Sequence, residues 1–252
     1  RSDRAAGGSG CEGESMTVRR LGWTGRASRT GRSNLLWTVL TAFSALSVSS
    51  APSAHAQVNS DTVIERAARA YQQLSSFQAD FRQVISDSMI GTFESKGRLL
   101  QAGTASFAMR FTDPNGEAIV MDGEYIWIYT PSTTPGQVVR TPIPKDATYG
   151  PNVLAWLLTK PVERYQTRYV REDAVGGRSA DVVELTPLDP TLPFRTAILW
   201  IDRSDNLPRK LEIQEKTGTN RTLVLSGVMI NRRPPPNSFT FNVPSGVRVI
   251  EQ

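Results

Sequence analysis

The segment FQADFRQVI, residues 77–85, decides the fold class, because apolar and polar side chains alternate along it. Its apolar members are Phe77, Ala79, Phe81 and Ile85. Side chains two positions apart share one face of a strand, so the segment predicts a half-buried β-strand. Similar runs follow at residues 91–100, 104–112, 117–121, 125–129, 137–141, 165–172, 181–186, 195–202, 210–216, 221–230 and 239–243. Strands at this short spacing, mostly without helices between them, indicate a meandering antiparallel sheet.

Two segments interrupt this pattern and predict helices. Residues 59–74 have apolar side chains at helical spacing, and Thr62 with Glu65 fits a capping box. Residues 150–159 begin with a Gly-Pro pair and are apolar on almost all sides, so this short helix must be buried on more than one side. It is either a core helix that seals a sandwich or a lid in the mouth of an incomplete barrel.

The N-terminal region, residues 1–56, has the order of a cleavable secretory signal. Five arginines follow Met16, an apolar run of about 14 residues occupies 35–48, and small residues end at Ala54-His55-Ala56. We expect translation to start at or after Met16, residues 1–15 to be a disordered tail if present, and cleavage to follow Ala56. The protein is then a periplasmic protein with a single domain, residues 57–252. An uncleaved membrane anchor is the alternative.

Charge and reactive side chains restrict the function. Residues 1–56 hold 7 of the 29 basic residues, which leaves 22 basic and 21 acidic residues from Gln57 onward and gives no basic patch for a nucleic acid. The one cysteine, Cys11, and the one histidine, His55, both precede Gln57. Catalysis by Ser-His-Asp or Cys-His, disulfides and zinc sites are therefore excluded from the domain. We expect a protein that is not an enzyme and has no cofactor.

Several motifs resemble the LolA-type outer-membrane lipoprotein carrier family. The similar segments are 77–83, 107–114, 119–131, 152–158 and 239–249, and they follow one another in unbroken order over nearly all of 57–252. The resemblance implies a mainly antiparallel α+β fold: a half-open, incomplete barrel of about 11 strands, with helices closing the mouth over an apolar cavity. It also implies a periplasmic carrier that ferries lipoproteins from the inner to the outer membrane. The implied partners are the lipoprotein cargo, an inner-membrane ATP-driven releasing complex and an outer-membrane lipoprotein receptor.

The chain departs from the family pattern at one position. Members usually have an Arg-Pro pair before the phenylalanine that matches Phe107, and that arginine ties the sheet to the lid helices. Here the matching position is Gly103. Arg98 or Arg110 is a candidate substitute for this latch.

A carrier of acyl chains needs apolar side chains at alternate strand positions, and room for the chains between them. The candidate cavity residues are Phe81, Phe107, Met109, Phe111, Ile119, Met121, Trp127, Tyr129, Trp156 and Leu157. For each of them, ordinary core packing is the competing interpretation. Two other functions stay open: a lipoprotein-sensing regulator on the same fold, and a carboxylate hydrolase using Asp80, Asp113, Asp122 or Glu124. We expect a monomer.

Overall fold

The computed structural model describes residues 58–103, 105–144 and 150–252. The expected signal segment, residues 1–56, lies outside the described residues. Within these ranges, no helix combines the length and the apolar character that crossing a bilayer requires. The elements are α1 Ser60–Gln72, β1 Ser76–Asp87, β2 Gly91–Ala102, β3 Ser106–Asp113, β4 Asn115–Asp122, β5 Tyr125–Tyr129, β6 Gln137–Pro142, α2 Val153–Leu157, α3 Pro161–Arg164, β7 Tyr165–Val175, β8 Arg178–Pro187, β9 Phe194–Asp202, β10 Pro208–Glu215, β11 Asn220–Ile230 and β12 Arg248–Glu251.

The strands form one open sheet in the order β12-β6-β5-β4-β3-β2-β1-β11-β10-β9-β8-β7. Consecutive strands pair as antiparallel neighbours from β1 to β6 and again from β7 to β11, which confirms the predicted meander. The exceptions to this sequential pairing are the antiparallel contact between β1 and β11 and the parallel contact between β12 and β6. The predicted class, a mainly antiparallel incomplete barrel with few helices, is confirmed.

The predicted strand at residues 239–243 is wrong. This segment is irregular, and the last strand is β12, which starts at Arg248. Phe239 and Phe241 alternate as strand residues do, but they pack on one face of the sheet instead of extending it. Arg110 Nη2 donates to the carbonyl oxygens of Ser238 (3.2 Å) and Thr240 (2.8 Å). These two carbonyls are thus hydrogen-bonded by a side chain and not by the backbone of a neighbouring strand.

The sheet has two differently covered faces. The inner face packs against α1, α2 and α3, and forms the main apolar core with residues such as Phe77, Phe107 and Leu199. The outer face carries two smaller clusters. One, around Val120 and Trp127, is covered by residues 239–249. The other surrounds Trp200 on β9.

The first helix begins one turn earlier than the predicted capping box. Asn59 is the N-cap, with its Oδ1 accepting from Asp61 N at 2.9 Å and from Thr62 N at 3.4 Å. Its backbone is extended, as an N-cap requires. Thr62 therefore lies inside the helix, and the expectation that it is the cap is wrong. The apolar stripe is as predicted: Val63, Ala67 and Tyr71 are buried against the sheet.

The replacement Asn59→Ala should lower the free energy of unfolding by about 1 kcal/mol, because it removes the acceptor for two backbone N–H groups. Urea denaturation followed by circular dichroism measures this loss. Thr62→Ala is the matched control and should change stability by less than about half of that, since Thr62 is exposed in the helix interior. A larger loss for Thr62→Ala than for Asn59→Ala would contradict the assigned cap.

Candidate functional site

Eight of the ten predicted cavity residues are in the core on the inner side of the sheet, six of them on strands and two on α2. They belong to, or pack against, the main apolar cluster: Phe81, Phe107, Met109, Phe111, Ile119, Met121, Trp156 and Leu157. Strand register brings them together, because Phe107 pairs with Met121 and Met109 with Ile119. Phe81 and Phe111 meet edge to face, with ring centroids 5.1 Å apart. The structure therefore assembles most of the predicted apolar wall. Their part in ligand binding stays a prediction.

Trp127 and Tyr129 do not belong to this wall, and the prediction that they line the cavity is wrong. Trp127 pairs with Val120, and both side chains belong to the outer-face cluster. Phe241 stacks on Trp127 with a centroid distance of 5.5 Å, and it also contacts Tyr129. The Asp122–Gly123 turn determines which side chains of β5 face inward, because it places Ile126 opposite Met121 on the inner face. Ile126 is thus a wall residue that the sequence interpretation missed.

The short helix α2 covers the inner face. Asn152 caps it by accepting from Ala155 N at 3.3 Å, and Leu154, Trp156 and Leu157 are buried against the sheet. Trp156 packs edge to face on Phe194, 5.6 Å between centroids. This packing agrees with the prediction of a helix that is buried on more than one side.

Arg164 in α3 holds the carboxyl end of α2. Its guanidinium lies 4.2 Å from the Trp156 ring centroid, where a cation is attracted to the ring face. Its Nη1 also donates to the carbonyl oxygen of Trp156 at 2.9 Å. Both contacts fix the short helix from one side.

The space left between α2 and the sheet is small. A cavity of about 30 Å³ is lined by Gln83, Leu99, Phe107, Met109, Pro151, Asn152, Val153, Leu154, Leu211, Arg221 and Leu223. Sites for ligands of the size of one acyl chain enclose roughly 300 Å³ or more. The space is therefore much smaller than the roomy cavity expected from the sequence. Side chains of α2 fill most of the space between this helix and the sheet, and we call this arrangement the closed conformation.

Hydrogen bonds link the helices to the sheet near the position where the family pattern has an arginine. The Tyr71 hydroxyl of α1 donates to Gln101 Oε1 of β2, and Gln101 Nε2 donates to the Gly103 carbonyl oxygen at 2.9 Å. Burial raises the pKa of Tyr71, so the hydroxyl stays protonated as a donor. Gly103 has φ +62°, a conformation that favours glycine. Gln72 Nε2 of α1 also donates to the Leu158 carbonyl oxygen after α2, at 2.8 Å.

Neither proposed substitute arginine takes part in this link. Arg110 lies on the outer face, where it holds Ser238 and Thr240. Arg98 pairs directly with Arg110 in the β2–β3 register and so points to the same face. The suggestion that one of them latches the lid is wrong, because two-residue periodicity places both on the side of the sheet away from α2.

The carboxylates considered for hydrolysis have structural roles in turns and on the outer face. Asp122 accepts from Glu124 N, Tyr125 N and Trp127 Nε1 at 2.7–2.9 Å. Asp113 lies 3.7 Å from Lys96 Nζ. Asp80 pairs with Arg98 in register, on the outer face. In the part of the chain that the structure describes, no three His, Cys, Asp or Glu side chains are grouped to hold a metal ion.

Known proteins share the sequence pattern of this chain. The family model for outer membrane lipoprotein carrier protein LolA matches residues 72–242. An outer-membrane lipoprotein carrier protein of Chromohalobacter salexigens is 25% identical over 189 residues, which cover 75% of this chain and 86% of that protein. One of Nitrosospira multiformis is 29% identical, with coverage of 71% and 87%. The crystal structure of a LolA superfamily protein from Nitrosomonas europaea aligns at 18% identity with a TM-score of 0.39, covering 73% of this chain and 98% of that one.

The turn at Asp122 predicts a pH effect on stability. Burial raises the pKa of Asp122, but the hydrogen bonds from Tyr125, Trp127 and Glu124 outweigh it and hold the pKa below its ordinary value. The carboxylate therefore stabilises the fold above the unfolded pKa of about 3.9, and this contribution is lost as the pH falls through the lower folded value. Asp122→Asn should flatten the fall in urea midpoint between about pH 5 and pH 3. Glu124→Gln, at an exposed neighbour, should leave that slope unchanged; equal slopes in wild type and Asp122→Asn would contradict the assignment.

Proposed function

The chain belongs to the LolA family of outer membrane lipoprotein carrier proteins, and we propose that it binds the acyl chains of lipoproteins between α2 and the inner face of the sheet. It carries them across the periplasm from the inner to the outer membrane. The observation that supports this most directly is the continuous apolar inner face with a short, almost wholly apolar helix packed on it. An acyl chain can replace that helix as the cover of the same side chains.

The energetics favour a carrier of this kind. The free energy of transferring an acyl chain of about 15 methylenes from an apolar environment to water is roughly 12 kcal/mol, at about 0.8 kcal/mol for each methylene. Free diffusion of such a chain between membranes is negligible, so a soluble carrier must cover it. When α2 moves away, the inner face loses its apolar contacts with this helix, and the incoming acyl chain replaces them. Opening with an acyl chain bound therefore requires less free energy than exposing the whole inner face to water.

The proposed partners follow from this exchange. An inner-membrane ATP-driven releasing complex supplies the cargo, because extraction of acyl chains from a bilayer is uphill. An outer-membrane lipoprotein receptor accepts the cargo by holding the chains more tightly, since transfer follows differential affinity. The protein itself needs no catalytic group for either step. We propose that it acts as a monomer.

Met109→Glu should weaken binding of a fluorescent acyl probe by at least about tenfold, because it places a charge on the buried inner face. Met109 is 6% exposed and lines the cavity under α2. The matched control is Met229→Glu, the same chemical change on β11. Met229 pairs with Gln78 on the opposite face of the sheet, and its neighbour Val228 packs on the inner core. Circular dichroism checks folding of both variants; equal probe affinity in folded Met109→Glu and Met229→Glu would contradict the site.

Gln72→Ala should strengthen the apparent affinity for the same probe by roughly fivefold. It removes the hydrogen bond from α1 to the Leu158 carbonyl oxygen, which stabilises the closed conformation by about 1 kcal/mol, and a larger open fraction raises apparent affinity. Gln73→Ala, at the adjacent exposed position, is the control and should leave the affinity unchanged. Weaker binding by Gln72→Ala would show that α2 does not have to open.

A further inference from the structure

The cavity beneath α2 is apolar over most of its wall but carries two buried donors. The Nδ2 of Asn152 and the Nε of Arg221 are both shielded from solvent, and neither has an acceptor among the residues that the structure describes. Both side chains line the same cavity as Leu99, Phe107 and Leu223. Buried donors are nearly always paired in folded proteins, so two of them facing one small cavity indicate a place for an acceptor.

The orientation of Asn152 is set by its role in α2. Its Oδ1 accepts from Ala155 N at 3.3 Å, which fixes the oxygen toward the helix and leaves the amide NH2 as the free end. The residue is 7% exposed. A capping asparagine thus presents a donor from the lid to the cavity.

Arg221 presents a donor from the sheet. It pairs with Ile85 and Ile213 in register and shares the inner face with Leu223 and Leu225. Its Nη2 lies 3.4 Å from Glu215 Oε1, which offsets the guanidinium charge, while its buried Nε has no acceptor among the described residues. Along β11 the inner face therefore changes from apolar, at Leu225 and Leu223, to polar at Arg221.

We propose that Asn152 and Arg221 bind the carbonyl oxygens where the acyl chains of the cargo join its polar part. This rests on the proposed function and names the chemistry that the site selects: acyl esters and amides. The alkyl chain lies against the apolar wall where the rest of α2 makes room for it, and the carbonyl oxygen meets the two donors at the N-terminal end of α2, which stays in place near Arg221. Both groups donate and neither accepts, so an oxygen without a hydrogen matches them better than an alcohol or an amine. Because Glu215 already balances Arg221, a neutral carbonyl suits the site better than a free carboxylate.

The test compares two lipopeptides that differ in one respect. The first carries dipalmitoylglyceryl-cysteine, with ester carbonyls; the second carries the dihexadecylglyceryl ether, with the same chain length and no ester carbonyls. Competition against a fluorescent acyl probe gives the affinity of each. The wild-type protein should bind the ester roughly tenfold more tightly, as expected for a hydrogen bond to a buried charged donor. Palmitate, measured in the same way, should bind less tightly than the ester.

Two variants should remove the preference. Asn152→Asp keeps the oxygen that caps α2 and removes the donor, and Arg221→Met keeps much of the apolar stem and removes Nε. Each should bind the ether lipopeptide as the wild type does and lose at least about half of the logarithmic preference for the ester. Asn220→Asp, at an exposed position on the same strand, and Arg168→Met, which breaks an exposed ion pair with Glu184, are the matched controls and should retain the preference.

The outcomes separate this inference from the function on which it rests. Binding of both lipopeptides with equal affinity leaves the carrier function standing and overturns carbonyl recognition. A preference for the ester that survives in Asn152→Asp and Arg221→Met assigns the recognition to other groups and also overturns it. Tighter binding of palmitate than of the ester would show that the site prefers free fatty acids, and it overturns the recognition of neutral carbonyls. If the wild type binds none of the three, the proposed function fails and the inference falls with it.

Discussion

The packing of one short apolar helix on the inner face of the sheet is the contact on which the rest of the structure depends. Leu154, Trp156 and Leu157 bury apolar surface against the sheet. They cover the same side chains that the proposed acyl ligand would cover. In the function that we propose, the helix and the cargo compete for one apolar surface. The protein is then well packed without ligand because the helix takes the place of the acyl chain.

The sequence was sufficient for the secondary structure and for most of the inner wall. Two-residue alternation located eleven of the twelve strands, and the apolar stripe of α1 was as predicted. Phe107 and Met109 were placed correctly because alternation within a single strand is fixed by the pleat. The prediction of which side chains face inward failed at the hairpin between β4 and β5. Each turn resets which parity faces inward, and the Asp122 turn placed Ile126, not Trp127, on the inner side.

The remaining errors have physical causes that no local pattern reveals. Phe239 and Phe241 look like strand residues, yet they cover the outer face, where Arg110 donates to the backbone carbonyl oxygens of their neighbours Ser238 and Thr240. The two outer-face tryptophans each donate to an aspartate: Trp127 to Asp122 at 2.7 Å and Trp200 to Asp173 at 2.9 Å. An indole that has such an acceptor can be buried on either face of the sheet, so a large aromatic side chain alone does not identify the inner face. The size of the closed cavity likewise depends on packing between distant elements.

The contact between β1 and β11 has a consequence for how the chain is made. Residues 76–87 pair with residues 220–230, so more than half of the chain must be synthesised after β1 before that strand acquires its second neighbour. Until then β1 presents an unpaired edge, which is where newly made sheets aggregate or recruit another copy. Such distant pairing also slows folding. During synthesis, the part of the sheet next to β1 is therefore prone to aggregation for a long time. A holdase chaperone that binds this edge until the last quarter of the polypeptide has been made would protect it.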